Sequence, residues 1–332
     1  MSSPHANISI FVPHIGCPNR CSFCNQGYIT GTHKAPSPSD VADAVINARS
    51  AKNYDPKNTE IAFFGGSFTA INRNYMLELL KTASWFVENE IVKGIRISTR
   101  PDAIDDETLK LLKSYNVTAI ELGAQSMRDR VLKMNNRGHT SEDVVRASAL
   151  IKKYGFSLGL QMMTGLYKDS DTAAISTAKQ IIKIAPNTVR IYPTIVLKDT
   201  YLAALYSDNR YEPQTLEGAV NLAAELLLMF EKANIKVIRL GLHSIEEDSF
   251  VAGPWHPAFS ELCKSALFLK KAKELLKQKG KYIIYVSPKC ISQMVGQKRT
   301  NIISLKNDGF ICSVKPQEDL KENEIRVVRQ EE

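Results

Sequence analysis

Short runs rich in β-branched residues alternate with longer amphipathic stretches along most of this chain, and that alternation narrows its possible folds more than any other feature. The runs are NISIFVP (7–13), TEIAFFG (59–65), GIRIS (94–98), TAIEL (118–122), SLGLQMM (157–163), TVRIYP (188–193) and KVIRLGL (236–242). Helical patterns lie between them near 39–50, 73–89, 105–115, 141–154, 171–184 and 215–233. Strand, helix, strand is the βαβ unit, so the expectation is an α/β protein with a parallel sheet whose strands read apolar on both faces. So many units in succession predict a full or partial (β/α) barrel of the TIM-like kind, an open sheet being the other arrangement. In a barrel the site lies at the carboxyl ends of the strands.

Loops with chemical content sit at those ends. CPNRCSFCNQ (17–26) follows the first run, GGSF (65–68) the second, STRPD (98–102) the third, ELGAQS (121–126) the fourth, MMTGL (162–166) the fifth and YPTIVL (192–197) the sixth. Each has an ordinary structural reading: Gly65 and Gly66 as a tight turn, Gln125 as a satisfied core amide, Arg137 beside NNRGHT as a surface residue. Their shared placement favours a site.

Six cysteines occur in 332 residues, three of them, Cys17, Cys21 and Cys24, within eight positions. Cys263, Cys290 and Cys312 stand alone and read as small buried apolar groups. A disulfide framework is not expected, and without a signal-peptide pattern or an apolar run of about 20 residues the chain reads as cytoplasmic with no membrane partner. Clustered thiols in that compartment are more often metal-binding or catalytic than paired. Zinc would need a fourth ligand, His14 or His33, and zinc ligands usually come as two separated pairs. A four-iron cube held by three thiolates keeps one iron open to a small molecule.

The spacing C-x3-C-x2-C, with Phe23 before the last cysteine, resembles the signature of radical S-adenosylmethionine (SAM) enzymes. FFGGSFTAI, ISTRPDAI, ELGAQSM, NRGHT, GLQMMTGL and VRIYPTIVLKDT together resemble the Elongator-catalytic-subunit-like branch of that family, over about residues 7 to 260, with a more distant likeness to oxygen-independent coproporphyrinogen oxidase. The resemblance implies a [4Fe-4S] cluster on Cys17, Cys21 and Cys24, and S-adenosyl-L-methionine at its open iron. One electron, from a donor such as ferredoxin or flavodoxin, would cleave the sulfonium to a 5′-deoxyadenosyl radical. It implies that Gly65, Gly66 and Ser67 meet the methionine end, with backbone amides open to approach where no Cβ stands. Gln125 would contact the cofactor, Arg137 its carboxylate and Gln161 its ribose or adenine. About seventy residues follow the barrel, too few for the acetyltransferase domain that Elongator-type members append, so a barrel without that domain is expected.

Those residues carry their own signal. From Glu261 to Lys315 twelve basic side chains face three acidic ones, an excess of nine that accounts for the whole chain's net charge of +8. A polyanion is the corresponding partner class, a solvated basic face the plainer alternative. KYIIYV (281–286), PKCISQMV (288–295), GQKR (296–299), TNIISLK (300–306) and GFICSVKP (309–316) read as strand, helix, turn, helix and strand. That order resembles a KH module, whose G-x-x-G turn clamps nucleotide phosphates. Gly296, Gln297, Lys298 and Arg299 would form the turn here, with Arg299 at the second glycine's place. The expected organisation is a barrel domain over 1–258 and a small α+β module over 259–332.

His139, His243 and His256 lie near the proposed loops, where a structural histidine is the commoner outcome. The reading is a radical SAM enzyme acting on RNA, with tRNA the favoured substrate. A small-molecule or tetrapyrrole substrate is the alternative among enzymes, and an RNA-binding protein with a structural cluster the alternative outside them; oligomeric state is not readable.

Overall fold

A computed structural model describes residues 5–13, 21–25, 34–242, 245 and 247–330. The chain divides into two compact units, one of Met1–Pro213 with Ala233–Gly253, the other of Gln214–Lys232 with Pro254–Glu332.

The first unit is a parallel sheet of seven strands curled into a half-barrel, the partial (β/α) barrel that the alternation implies. Its strands are β1 (Ala6–Val12), β2 (Thr59–Gly65), β3 (Gly94–Thr99), β4 (Val117–Gln125), β5 (Ser157–Thr164), β6 (Thr188–Pro193) and β8 (Lys236–Leu240), neighbours in that order. A short antiparallel pair, β7 (Val196–Leu197) with β9 (Phe250–Ala252), follows β6. The helices are α1 (Pro38–Arg49), α2 (Arg73–Glu88), α3 (Asp106–Ser114), α4 (Asp129–Met134), α5 (Ser141–Lys153), α6 (Asp171–Ile184) and α7 (Tyr201–Ser207). Their starts are written locally. Ser37 and Thr140 form capping boxes with Asp40 and Asp143, and Asp105, Ser170 and Thr200 each accept a first-turn amide. Ile61, Ile95, Ile97, Ile120 and Leu158 are fully buried beneath those helices, each contributing roughly 1.5–3 kcal/mol by leaving water.

The strands are not apolar on both faces. Glu60 on β2, Arg96 on β3, Glu121 on β4 and Arg190 on β6 are all buried and form one chain of ion pairs across the sheet. Arg96 Nη2 lies 2.8 Å from Glu60 and its Nη1 3.2 Å from Glu121, while Arg190 Nε lies 2.6 Å from the other oxygen of Glu121. Charges in the middle of buried strands are retained because each has its counter-ion on another strand of the same sheet, Arg190 reaching across β5 to Glu121 on β4.

In the second unit helix α8 (Leu216–Lys232) lies with α9 (Phe259–Leu275), burying Ala224, Leu228 and Leu267 between them. A three-stranded sheet follows, ordered β11 (Phe310–Pro316), β10 (Gly280–Val286), β12 (Ile325–Arg329), with β10 and β11 parallel and β12 antiparallel. Between β10 and β11 stand α10 (Ile291–Val295), the turn Gln297–Arg299 and α11 (Thr300–Asn307). This is the strand, helix, turn, helix, strand order read from residues 281–316; β12 and α9 are additions. No helix among the described residues is long and apolar enough to cross a membrane.

Candidate active site

The strand ends of the half-barrel surround a cavity of about 250 Å³. Of the residues singled out in sequence, Cys21, Phe23, Cys24, Gly65, Gly66, Ser67, Gln125, Arg137 and Gln161 all line it. Cys17, His14, His33 and His243 lie outside the described residues.

The cysteine stretch is held from beneath. Ser22 is fully buried; its Oγ donates to Asn135 Oδ1 at 2.6 Å and its amide to the Asn135 carbonyl at 3.1 Å. The Cys24 amide closes a turn onto the Cys21 carbonyl at 3.1 Å, and Phe23 packs against Met163 and Leu166. Arg137, on the loop after α4, reaches this turn: its Nη1 donates to Cys21 Sγ at 3.2 Å and its Nη2 to the Gly123 carbonyl at 2.7 Å.

Gln125 ends β4 in the left-handed region at φ 61°, where the pairing with β5 slips register. A non-glycine residue held there costs of order 1 kcal/mol and directs its side chain off the regular pleat. The Gln125 Oε1 and the Arg137 Nε are buried and have no hydrogen-bond partner among the described residues. An acceptor and a donor without partners, on residues that line one cavity with two thiols, fit a zwitterionic ligand beside a thiolate-held metal group. Gly123 makes room for both: a Cβ there would lie 3.0 Å from Gln125 Nε2 and 3.4 Å from Arg137 Nη2. ELGAQS contains this glycine, but only the folded strand shows what it clears.

The glycine loop serves differently from the sequence expectation. The Gly66 amide is bonded to the Val12 carbonyl at 2.8 Å, and a Cβ on Gly65, whose φ is +103°, would lie 2.8 Å from that same oxygen. The glycines thus let β1 and β2 meet, and the Gly66 amide is not open to methionine. Ser67 joins β2 to β3, its Oγ accepting from the Arg100 amide at 3.0 Å and bonding Thr99 Oγ1 at 2.8 Å. Gln161 rests on the ion-pair chain, donating from Nε2 to Glu121 at 3.1 Å and to Ser98 Oγ at 3.4 Å. Tyr192 and Arg190, unclaimed in sequence, also line the cavity. Burial pushes the Tyr192 hydroxyl pKa up, keeping it protonated.

The remaining candidates fall away from this centre. His139 is 4% exposed with Nε2 3.2 Å from the Ala124 carbonyl. Burial, with Arg137 nearby, lowers its pKa to about 4, so it is neutral at physiological pH. His256 Nδ1 accepts the Ala258 amide at 3.0 Å. Cys263 and Cys290 are buried, and Cys312 packs partly buried against the second unit's core, burial raising its thiol to about 11.

A seven-stranded half-barrel with thiols and a strained glutamine at its carboxyl end has the architecture of an enzyme that binds cofactors at its strand ends. The family model for the radical SAM superfamily matches residues 11–181 and that for the Radical_SAM C-terminal domain matches residues 186–268; the chain belongs to the radical SAM superfamily. It is accordingly a radical SAM enzyme that binds a [4Fe-4S] cluster and S-adenosylmethionine. Among characterised relatives, a tRNA uridine(34) acetyltransferase of Dehalococcoides mccartyi is 23% identical over 66% of this chain and 55% of its own. Elongator complex protein 3 of Saccharomyces cerevisiae is 26% identical over 69% of this chain and 47% of its own. The chain thus spans about half the length of these relatives. In fold it is similar to the archaeal Elp3 of Methanocaldococcus infernus, with TM-score 0.66 and 20% identity over 85% of this chain and 66% of that one.

Proposed function

We propose that this enzyme modifies a nucleoside of tRNA, with its cluster on Cys17, Cys21 and Cys24. The observation that carries the cofactor assignment is Arg137 joining Cys21 to the cavity wall while its Nε, like Gln125 Oε1 in the same lining, stays without a partner among the described residues. When bound, the cluster and S-adenosylmethionine supply reductive cleavage of a carbon–sulfur bond and abstraction of a hydrogen atom from the substrate. The protein's own residues bind and orient. Gln125 would accept from the ammonium of the methionine end, and Arg137 would donate to its carboxylate while fixing Cys21. Gln161, its Nε2 committed to Glu121 and Ser98, keeps its amide oxygen to accept from a ribose hydroxyl or the adenine amine. Phe11, Phe64, Met163 and Leu242 line the cavity and exclude water from the reacting carbon.

The RNA assignment is supported by the tRNA uridine that names the Dehalococcoides mccartyi relative and by the basic module. Gly296, Lys298 and Arg299 all have positive φ, 77°, 51° and 63°, and Lys298 and Arg299 are exposed. A Cβ on Gly296 would lie 2.6 Å from Thr300 Oγ1, so this glycine is needed for the turn. Arg299 takes the left-handed conformation that a second glycine would favour, which answers for its place in a G-x-x-G-like turn. Buried Asn301 ties the turn down, donating from Nδ2 to Ser265, Gln293 and Met294. The turn presents two cations on a fixed backbone, suited to phosphate. The test is anaerobic incubation of the reconstituted enzyme with S-adenosylmethionine, reductant and total tRNA, followed by nucleoside mass spectrometry. The expected result is tRNA-dependent 5′-deoxyadenosine with a new nucleoside mass; release indifferent to tRNA with no mass change overturns the reading.

A further inference from the structure

The three-stranded sheet of the second unit has two unlike faces. Tyr282, Ile284 and Val286 of β10, with Phe310, Cys312 and Val314 of β11 and Ile325 and Val327 of β12, form the core with the helices. The alternate positions point the other way and stay accessible. Ile311 is 56% and Val328 37% exposed; Lys281, Ser313, Lys315 and Arg326 are exposed, and Ile283 and Tyr285 half-buried.

Register arranges these side chains in rows. Lys315, Tyr285 and Arg326 share one row, Ser313, Ile283 and Val328 the next, and Ile311 lies beside Lys281 in a third. Rows on one face are about 7 Å apart and neighbouring strands about 5 Å. A tyrosine thus stands between two cations, above an apolar strip, with a third cation at the far end and no carboxylate in any row. Elsewhere in this unit Lys264, Lys270, Lys271, Lys273 and Lys289 each have an acidic partner. Lys281, Lys315 and Arg326 have none among the described residues.

A protein partner covering this strip would have to bring apolar groups and neutralise three cations at once. A single-stranded nucleic acid supplies both in every nucleotide: a base whose face stacks on an aromatic ring and a phosphate for the neighbouring cation. We infer that this sheet face is a second RNA contact, on which an unpaired nucleotide stacks on Tyr285 while flanking phosphates meet Lys315, Arg326 and Lys281. The inference rests on the RNA reading above and assigns it a surface distinct from the turn at 296–299, which lies with the helices on the sheet's opposite side.

The experiment measures binding of fluorescein-labelled oligouridine and of total tRNA to the full chain. Tyr285→Ala is expected to weaken both by about tenfold, and Tyr285→Phe, which keeps the ring, to bind as wild type does. Lys315→Glu with Arg326→Glu is expected to weaken binding and flatten its salt dependence by about two phosphate contacts. Emission from Tyr285→Trp is expected to be quenched by oligouridine, a signature that general electrostatic attraction does not give. All three positions are on the accessible face, and circular dichroism checks that each variant folds. Tyr285→Ala binding at wild-type affinity, while Lys298→Glu with Arg299→Glu weakens tRNA binding, overturns the sheet-face contact, makes the strip a protein contact and leaves the RNA reading standing. Wild-type protein that binds neither RNA overturns both.

Discussion

Arg137 Nη1 lies 3.2 Å from Cys21 Sγ, while Nη2 of the same guanidinium is held 2.7 Å from the Gly123 carbonyl. The second bond fixes the group against β4, so the first is a directed donor to sulfur rather than a passing surface contact. A cationic N–H donor stabilises the added electron of a cluster held by that thiolate. Arg137→Gln is therefore expected to keep iron and sulfide content but lower the cluster's midpoint potential by on the order of tens of millivolts. A redox titration followed by electron paramagnetic resonance reads this directly, and an unmoved potential rejects the role.

Glu121 has no exposure and is bracketed by Arg96 and Arg190. Glu121→Ala leaves two buried guanidiniums without their shared counter-ion, and the expected loss is about 3–5 kcal/mol in denaturant unfolding. The double change Glu121→Leu with Arg190→Met is expected to lose less than Glu121→Ala alone, because removing a charge together with its partner leaves less uncompensated charge behind. Equal or greater loss in the double variant would show that the network contributes through something other than charge compensation.

These residues also mark where sequence reading stops. Runs such as TEIAFFG and TVRIYP were legible as strands because β-branched residues fill them between turn residues, and β2 and β6 fall on the expected positions. Glu60 and Arg190 inside those runs carry no signal of their role in the sequence: a buried charge makes sense only once a strand distant in sequence is known to supply its partner. The same holds for Gly123, whose purpose depends on Arg137 returning fourteen residues later. The module between 280 and 316 was legible because its strand, turn and helix signals are local; β12 was not, since its alternation is short and its pairing is with β10, some forty residues earlier.

Gly123→Ala separates a cofactor role from a structural one better than a change at Gly65 or Gly66. Those glycines meet the backbone of β1, whereas the atoms nearest a Cβ at position 123 are on the side chains of Gln125 and Arg137, at 3.0 and 3.4 Å, with a backbone oxygen next at 3.9 Å. The expected outcome is a folded protein with normal thermal stability whose dissociation constant for S-adenosylmethionine rises about tenfold, a loss of about 1.4 kcal/mol. Equilibrium dialysis measures it; wild-type affinity would detach Gln125 and Arg137 from the cofactor.

His139 gives the fold a dependence on pH. Burial, reinforced by Arg137, lowers its pKa from 6.5 to about 4, so the unfolded chain takes up a proton that the folded chain refuses. The associated stability is fully present above about pH 6.5 and is lost as pH falls toward 4, by at most about 3 kcal/mol. His139→Gln is expected to flatten unfolding free energy across that window. An unchanged slope would place the pH dependence elsewhere.

The turn at 296–299 is tested by salt. If its two cations each neutralise a phosphate, binding returns condensed counter-ions, and log affinity for tRNA falls with log salt at about 0.7–0.9 per contact. Lys298→Glu with Arg299→Glu is then expected to weaken tRNA binding and to flatten that slope by roughly 1.5. Both side chains are exposed, so the fold is expected to be undisturbed, and any loss of affinity belongs to the contact itself. A double variant with wild-type affinity and slope would remove the turn from the RNA interface and bring a small-molecule substrate forward, since a cavity of about 250 Å³ among Gln125, Arg137 and Gln161 needs no basic module to serve one.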